Sequence, residues 1–153
     1  VPKAAKKVEK VIFNNAWILP HNKSQFDFVP DDIKEGMRQQ AKGNGAIPID
    51  PGFVKGMLAN EASEDKFNNL MKILVSQPLV IMETKINAED FALLNIPKVM
   101  LYCTKDVSVA PGAFLNMFKS LGDNPVIEVE CDHEGLLTNP EVYAEGLLKC
   151  IEI

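Results

Sequence analysis

Cysteine and histidine are scarce in this sequence. Its 153 residues include three cysteines, Cys103, Cys131 and Cys150, and two histidines. An odd number of cysteines without a Cys-x-x-Cys spacing does not support a disulfide framework or a zinc ribbon, and two histidines are few for a catalytic metal centre. The simplest interpretation is that the thiols are reduced and buried, as in a cytoplasmic protein, and that the protein binds no metal.

Long apolar runs and an excess of positive charge are also missing. The 16 Lys and Arg residues are outnumbered by 21 Asp and Glu residues, which gives a formal net charge of −5. Such a chain has no overall positive field to attract nucleic acid or an acidic membrane surface. No apolar run approaches the roughly 20 residues that a membrane span requires. No phosphate loop or dinucleotide fingerprint occurs, so no cofactor is predicted.

The composition that is present, 46% hydrophobic and 24% charged residues, is typical of one globular domain. The first ten residues are basic but lack the apolar core of a secretory signal. Val1, Ala4, Ala5 and Val8 recur at helical spacing, and no capping residue precedes them. This pattern predicts that the chain opens inside a helix. The alternative is a short, frayed helix with Pro2 in its first turn.

Residues 8–15 predict a buried strand, because β-branched and aromatic side chains dominate them. Helical patterns then dominate residues 30–77, where Asp50 and Ser63 stand in capping positions before two of the predicted helices. No strand pattern is visible in this part. We therefore interpret residues 30–77 as a helical layer or insertion.

The last third of the chain alternates between strands and helices. The patterns predict strands at 96–103 and 125–130 and helices at 111–121 and 139–153. This alternation is typical of an α/β fold with a parallel sheet. In the last helix Asn139 is expected to cap the N-terminus. Four apolar residues of that helix are expected to face the sheet: Val142, Leu147, Leu148 and Ile151.

Two chemically active side chains follow the carboxyl ends of these strands. Asp106 comes after the strand that ends at Cys103, and His133 comes after the strand that ends at Glu130. Catalytic groups gather at this edge of an open parallel sheet, so the two side chains meet if the strands are neighbours. An aspartate that binds one imidazole nitrogen leaves the other free as a general base. The alternative is a turn-forming aspartate and an unrelated surface histidine.

The sequence around both residues resembles the C-terminal part of the α/β-hydrolases. Residues 97–111 are similar to the family's acid turn, and residues 129–140 are similar to its histidine turn. Residues 137–141, Leu-Thr-Asn-Pro-Glu, are similar to the run after the histidine in the methylesterase and hydroxynitrile-lyase branch. The resemblance implies that Asp106 is the catalytic acid and His133 the general base.

The same resemblance implies a division of the chain into three parts. Residues 1–20 would hold the sheet strand that follows the nucleophile helix. Residues 21–95 would form a helical cap over the active site, and residues 96–153 would form the C-terminal βαβα part of the hydrolase core. The implied fold class is therefore α/β, a parallel sheet flanked by helices with a helical cap insertion.

The family's nucleophile has no counterpart here. α/β-Hydrolases carry it in a Gly-x-Ser-x-Gly elbow, and none of the five serines is flanked by glycines in that way. In the family's chain order the elbow precedes the acid and the histidine. The nucleophile is therefore expected upstream of Val1, in an N-terminal segment that this chain lacks, or on a partner chain or dimer mate that completes the sheet. Ser108 is a local substitute without the elbow geometry.

The function that the resemblance implies is hydrolysis of a small carboxylic ester through an acyl-enzyme. Trp17 and Phe26 follow the first strand and are predicted to line the substrate pocket or to pack in the core. Glu134 disfavours hydroxynitrile lyase activity, because lyases of this branch place a lysine close after the histidine to steady cyanide. If Glu134 instead points to solvent, it says nothing about the reaction.

Two alternatives to an incomplete esterase remain. The first is a ligand-binding or scaffold protein that keeps the hydrolase framework without its chemistry. The second, a self-sufficient enzyme of 153 residues, is disfavoured because a three-stranded parallel sheet exposes an unpaired edge and an apolar face.

Overall fold

A computed structural model describes residues 6–153. The amphipathic pattern predicted to open the chain inside a helix lies mostly in residues 1–5, outside the described residues. The strands are β1 (Val11–Asn14), β2 (Ala46–Ile47), β3 (Gln77–Pro78), β4 (Lys98–Cys103) and β5 (Val126–Val129). The α-helices are α1 (Asp31–Ala41), α2 (Pro51–Phe53), α3 (Glu64–Ile73), α4 (Leu79–Glu83), α5 (Glu89–Ala92), α6 (Ala113–Lys119), α7 (Gly135–Thr138) and α8 (Pro140–Glu152), and a 3-10 helix spans Gln25–Phe28.

Three of the strands form a parallel sheet in the order β1-β4-β5. In its register Val11 pairs with Lys98, and Met100 pairs with Val126. Helix α6 connects β4 to β5 as the crossover that parallel strands require. The predicted parallel α/β arrangement is confirmed, and β4 and β5 are neighbours, so the two loops that follow them leave the same edge of the sheet.

The side chains of β4 alternate between two apolar layers. Val99, Leu101 and Cys103 lie in one buried cluster with Val129, Cys131 and Cys150, against which α8 packs. Met100 faces the other way, into a cluster with Phe114 and Phe118 of α6. Because both faces of β4 are covered, the strand is a nearly continuous apolar run and not an alternating one.

Helix α8 contacts the sheet through a different face from the predicted one. Val142 and Leu147 pack against the core as expected, but Leu148 and Ile151 are exposed. The reason is Gly146, where a Cβ atom would lie 2.3 Å from Val129 and 2.7 Å from Leu101. The close approach at this glycine sets the buried face, which turns Leu148 and Ile151 away from the sheet.

Asn139 does not cap α8 with its side chain, so that prediction is wrong. Its amide nitrogen instead lies 3.5 Å from the carbonyl oxygen of Glu130. The preceding helix α7 ends at Thr138, so Asn139 joins two helices and its side chain is directed back toward the end of β5.

Residues 21–95, which we call the helical segment, contain the predicted helices and some elements that the sequence did not reveal. Asp50 accepts a hydrogen bond from the backbone N–H of Phe53, and Ser63 accepts one from Lys66, so both predicted caps are confirmed. Helix α2 continues as a π-helical turn, Val54–Leu58. The expectation that this part has no strand is wrong, because β2 and β3 pair antiparallel. Two-residue strands are too short to produce a periodic pattern.

The helical segment has an apolar centre of its own, formed by Val54, Ala59, Ala62 and Leu70. Within residues 6–153 none of the helices is both long and apolar enough to cross a membrane.

Candidate active site

Asp106 lies in the loop after β4, and its side chain is only 1% exposed. Its backbone N–H donates to the carbonyl of Cys103, which closes a tight turn at the end of the strand. One carboxylate oxygen, Oδ1, accepts a 2.8 Å hydrogen bond from the backbone N–H of Ser108. The turn therefore fixes this carboxylate in both position and orientation.

His133 follows β5, and its Nδ1 lies 2.7 Å from Oδ2 of Asp106. The structure thus brings together the two residues that the sequence singled out, across 27 positions of the chain. With Asp106 as an acceptor-only carboxylate, the hydrogen-bond network assigns the proton to Nδ1 of His133. Nε2 is then the nitrogen with a free lone pair, which is the state of a general base.

Asn15, which the sequence analysis did not single out, holds Asp106 from the opposite side. Its side-chain Nδ2 donates to Oδ2 of Asp106 at 2.6 Å and to the carbonyl of Cys103 at 3.1 Å, while its Oδ1 accepts from the backbone N–H of Cys103. Asn15 is 2% exposed and has a φ of 35°. Asparagine tolerates this left-handed region better than most residues, and the position directly after a buried strand was the available signal.

Ser108 lies on the wrong side of His133 to act as its nucleophile. The hydroxyl oxygen of Ser108 is 3.3 Å from Nδ1, the nitrogen that already faces Asp106. A serine that is deprotonated by this imidazole must contact Nε2. The geometry therefore places Ser108 among the groups that hold the acid and the histidine together.

The electrostatics of the pair favour its charged form. Burial alone raises the pKa of Asp106, but hydrogen bonds from His133, Ser108 and Asn15 outweigh that effect and lower the pKa to about 2. Burial likewise lowers the pKa of the His133 imidazole, yet the hydrogen bond to Asp106 and its negative charge raise the pKa above the usual value. An imidazolium at this position is therefore well stabilised.

Glu134 lies next to the histidine and is half-buried. Burial raises the pKa of its carboxyl, although the neighbouring His133 acts in the opposite direction. The environment of Glu134 is therefore coupled to the imidazole, and this side chain is not a freely solvated surface charge.

The predicted pocket residues Trp17 and Phe26 occupy different environments. Trp17 contacts Phe114 edge-on, with ring centroids 6.2 Å apart, and Phe114 in turn stacks on the His133 ring. Trp17 also lines an open, mostly apolar cavity of about 540 Å³. Phe26 is 4% exposed beneath the guanidinium of Arg38 and does not line that cavity. For both residues a substrate contact stays a prediction.

The described residues offer an acid and a base but no metal-binding cluster. Residues 6–153 contain no group of three or more His, Cys, Asp or Glu side chains that is arranged to hold a metal ion. In this part of the chain no hydrogen bond to Nε2 of His133 is formed. The arrangement can accept a proton at Nε2 and return it, with Asp106 stabilising the imidazolium between the two steps.

No protein-family model matches the sequence, and no curated protein sequence matches it significantly. Solved structures do match. An extracellular α/β-hydrolase from a Paenibacillus species superposes with a TM-score of 0.87 at 24% identity, over 97% of this chain and 64% of that one. This chain has an α/β-hydrolase fold. It corresponds to the C-terminal part of that fold, as the resemblance predicted.

Two further structures agree with this assignment. A methylesterase from Arabidopsis matches with a TM-score of 0.65 at 14% identity, over 99% of this chain and 64% of that one. An esterase from Thermogutta terrifontis matches with a TM-score of 0.66 at 15% identity, over 98% of this chain and 58% of that one. The chain therefore spans less than two thirds of the length of each structure. Because the Paenibacillus protein is described as extracellular, the cytoplasmic location stays a prediction.

Proposed function

We propose that the protein is a serine hydrolase that cleaves small carboxylic esters, with Asp106 as the acid and His133 as the general base. The observation that carries the proposal is the 2.7 Å contact between Oδ2 of Asp106 and Nδ1 of His133, at the carboxyl edge of a parallel sheet. This contact leaves Nε2 as the proton acceptor. The esterases among the similar structures support the proposal.

In the proposed mechanism His133 removes the proton from a serine hydroxyl as that oxygen attacks the ester carbonyl. Asp106 keeps the imidazole in the correct tautomer and stabilises the imidazolium. His133 then protonates the departing alcohol, and a water molecule activated in the same way hydrolyses the acyl-enzyme. We propose that this serine belongs to a part of the protein outside residues 1–153, or to a partner chain or second copy, because Ser108 approaches Nδ1 and not Nε2.

The charge beside the base favours ester hydrolysis over cyanohydrin cleavage. When ionised, Glu134 is an anion next to His133, and it would repel a cyanide ion released there. A neutral ester does not meet this penalty. The substrate class we propose is therefore an uncharged small ester.

The helical segment is the proposed cap over the site. Trp17 is the better supported of the two predicted pocket residues, because Phe114 connects it to the His133 ring and because it borders an apolar cavity. For Phe26, which is buried under Arg38, a substrate contact requires the helical segment to move. A cytoplasmic location, proposed from the free cysteines, accompanies this assignment.

Fluorophosphonate labelling of the full-length protein tests the proposal, since this probe modifies only an activated serine. We expect labelling of one serine and hydrolysis of p-nitrophenyl acetate. Asp106→Asn should reduce kcat by about 10⁴-fold and His133→Gln by about 10⁶-fold. Asp123→Asn, an exposed acid in the turn after α6, is the matched control and should leave both readouts unchanged.

Two results would overturn the assignment. Labelling that persists in His133→Gln would show that another base activates the serine. A folded protein without any labelled serine would instead support a ligand-binding or scaffold protein on the hydrolase framework.

A further inference from the structure

Asp132 is a fully buried carboxylate that the acid and base chemistry described above does not use. Its exposed fraction is 0%. Oδ1 accepts a hydrogen bond from the hydroxyl of Thr138 in α7, and Oδ2 accepts one of 3.0 Å from the backbone N–H of Glu61 in the helical segment. One side chain therefore connects the loop of His133 to a segment 71 positions away in the sequence.

Further hydrogen bonds join the same two parts around His133. The backbone N–H of Glu134 donates to the carbonyl of Leu58 at 3.0 Å. The residues on both sides of the histidine, 132 and 134, are therefore bonded to the single stretch 58–61. The ammonium of Lys66 also binds the carbonyl of Thr138. Asn60 donates to the carbonyl of Lys105, next to the catalytic acid, at 3.2 Å.

The burial of the Asp132 carboxylate beside His133 requires an energetic explanation. Removing an ionised group from water is costly unless hydrogen bonds or opposite charges compensate. Here two hydrogen bonds satisfy the carboxylate, whereas the charged side chains around the neighbouring His133 include two further acids, Asp106 and Glu134. A carboxylate beside two others adds repulsion, so packing stability alone does not account for it.

We propose that Asp132 is a positioning residue that fastens the helical segment to the His133 loop, so that the position of this segment sets the orientation of the imidazole. The proposal rests on the proposed function, in which His133 is the general base. The loop is held at Asp132 and Glu134, and the ring between them is held at Nδ1 by Asp106. A displacement of residues 58–61 would therefore tilt the ring relative to Asp106.

Two substitutions at position 132 separate positioning from charge. Asp132→Leu keeps the branched shape of the side chain, with two bulkier methyl groups in place of the oxygens, and removes both acceptors. Asp132→Asn keeps an acceptor for the N–H of Glu61, and its amide can donate to the hydroxyl of Thr138, which already lies 3.2 Å from the carbonyl of Glu134. We expect Asp132→Leu to be defective and Asp132→Asn to restore most of the function.

The readouts in the full-length protein include two that need no activity. In Asp132→Leu we expect faster amide exchange at Glu61 and Glu134, and a shift or loss of the low-field proton resonance of Nδ1 of His133. We also expect kcat for p-nitrophenyl acetate to fall about 10- to 100-fold with a smaller change in KM, as is typical of a misplaced catalytic group. Asp50→Ala is the matched control, because Asp50 also accepts a backbone hydrogen bond within the helical segment but does not contact the His133 loop.

If Asp132→Leu does not fold, Thr138→Val decides the question, since it removes only the hydroxyl that orients the carboxylate, and Thr138→Ser should restore it. An unchanged His133 resonance and unchanged exchange at Glu61 in a folded variant would overturn the proposal. Loss of the resonance in Asp50→Ala would overturn it as well. Because exchange and the resonance are measured without substrate, positioning can be confirmed even if the esterase assignment fails.

Discussion

The sheet with its flanking helices and the helical segment are built on different principles. In β4, Val99, Met100, Leu101 and Cys103 are each at most 1% exposed. In the helical segment, large apolar side chains remain in contact with solvent: Ile73, Val75, Val80 and Ile81 are between 58% and 80% exposed. The central strand β4 is therefore closely packed on both faces, whereas the helical segment buries a small centre and leaves several large apolar side chains uncovered.

This difference explains where the candidate site is rigid. Asp106 and His133 extend directly from β4 and β5, and the packed strands fix their separation. The helical segment reaches the site through polar contacts at residues 58–66, each of which contributes on the order of 1 kcal/mol. The candidate acid and base thus follow the packed strands, whereas the helical segment is joined to their loops by a few hydrogen bonds.

A methyl group added to Gly146 tests how tightly the sheet region is packed. The Cβ of Gly146→Ala would lie 2.3 Å from Val129 and 2.7 Å from Leu101, so α8 must move away from the sheet. We expect the free energy of unfolding to fall by about 3 kcal/mol, at the upper end of overpacking effects. Urea denaturation of the full-length protein measures this change. A decrease in the free energy of unfolding of less than about 0.5 kcal/mol would contradict this expectation, because it would show that the packing around Gly146 accommodates a methyl group at little cost.

We expect the loss of unfolding free energy at low pH to depend mainly on Asp106, the buried carboxylate that follows β4. The pKa of Asp106 is lowered from 3.8 to about 2, so its contribution is present above pH 3.8 and is lost as the pH falls through about 2. For a side chain that is 1% exposed, this shift corresponds to about 2 kcal/mol of unfolding free energy. His133 has a raised pKa, so its contribution is present below pH 6.5 and is lost as the pH rises through the folded value. In Asp106→Asn we expect the free energy of unfolding, measured from pH 2 to 9, to change less with pH at both ends of this range than it does in the unsubstituted protein.

The control for acid sensitivity lies in the helical segment. Asp27 also has a pKa near 2, because Ser24 donates hydrogen bonds to it, but its side chain is 25% exposed, against 1% for that of Asp106. Solvent screens such a group, so Asp27→Asn should change the pH dependence far less than Asp106→Asn. Equal effects of the two substitutions would remove the distinction between the regions.

The features that the sequence could predict are those that depend on an apolar pattern or on a capping residue. Asp106 and His133 were predictable because each follows a strand with a strong apolar pattern, and parallel strands bring their carboxyl ends to one edge. The approximate positions of α1, α3, α6 and α8 followed from apolar spacing and capping residues. The buried face of α8 could not be predicted in this way. Gly146 determines it through a close contact with the sheet, and a glycine adds nothing to the apolar pattern.

The contacts that complete the site could not be predicted. Asn15 holds Asp106 across 91 positions of the chain, and Asp132 binds a backbone N–H that any residue at position 61 would provide. Neither contact leaves a periodic pattern or a motif. The strands β2 and β3 could not be predicted, because two residues are too few to show the alternating pattern of a strand. Tertiary contacts of single residues are therefore the part of the site that requires a structure.

The smallest expected effect concerns Gly36, on the exposed side of α1. Apart from its chain neighbours and the backbone of its own helix, no heavy atom of the described residues lies within 4 Å of the position where its Cβ would stand, and its backbone is helical. Gly36→Ala should raise the free energy of unfolding by about 0.5–1 kcal/mol, because alanine loses less backbone entropy in a helix. Thermal unfolding of the full-length protein measures it as an increase of a few degrees at most. A decrease would mean that another part of the protein packs against this face of α1, and the helical segment would then be as enclosed as the sheet region.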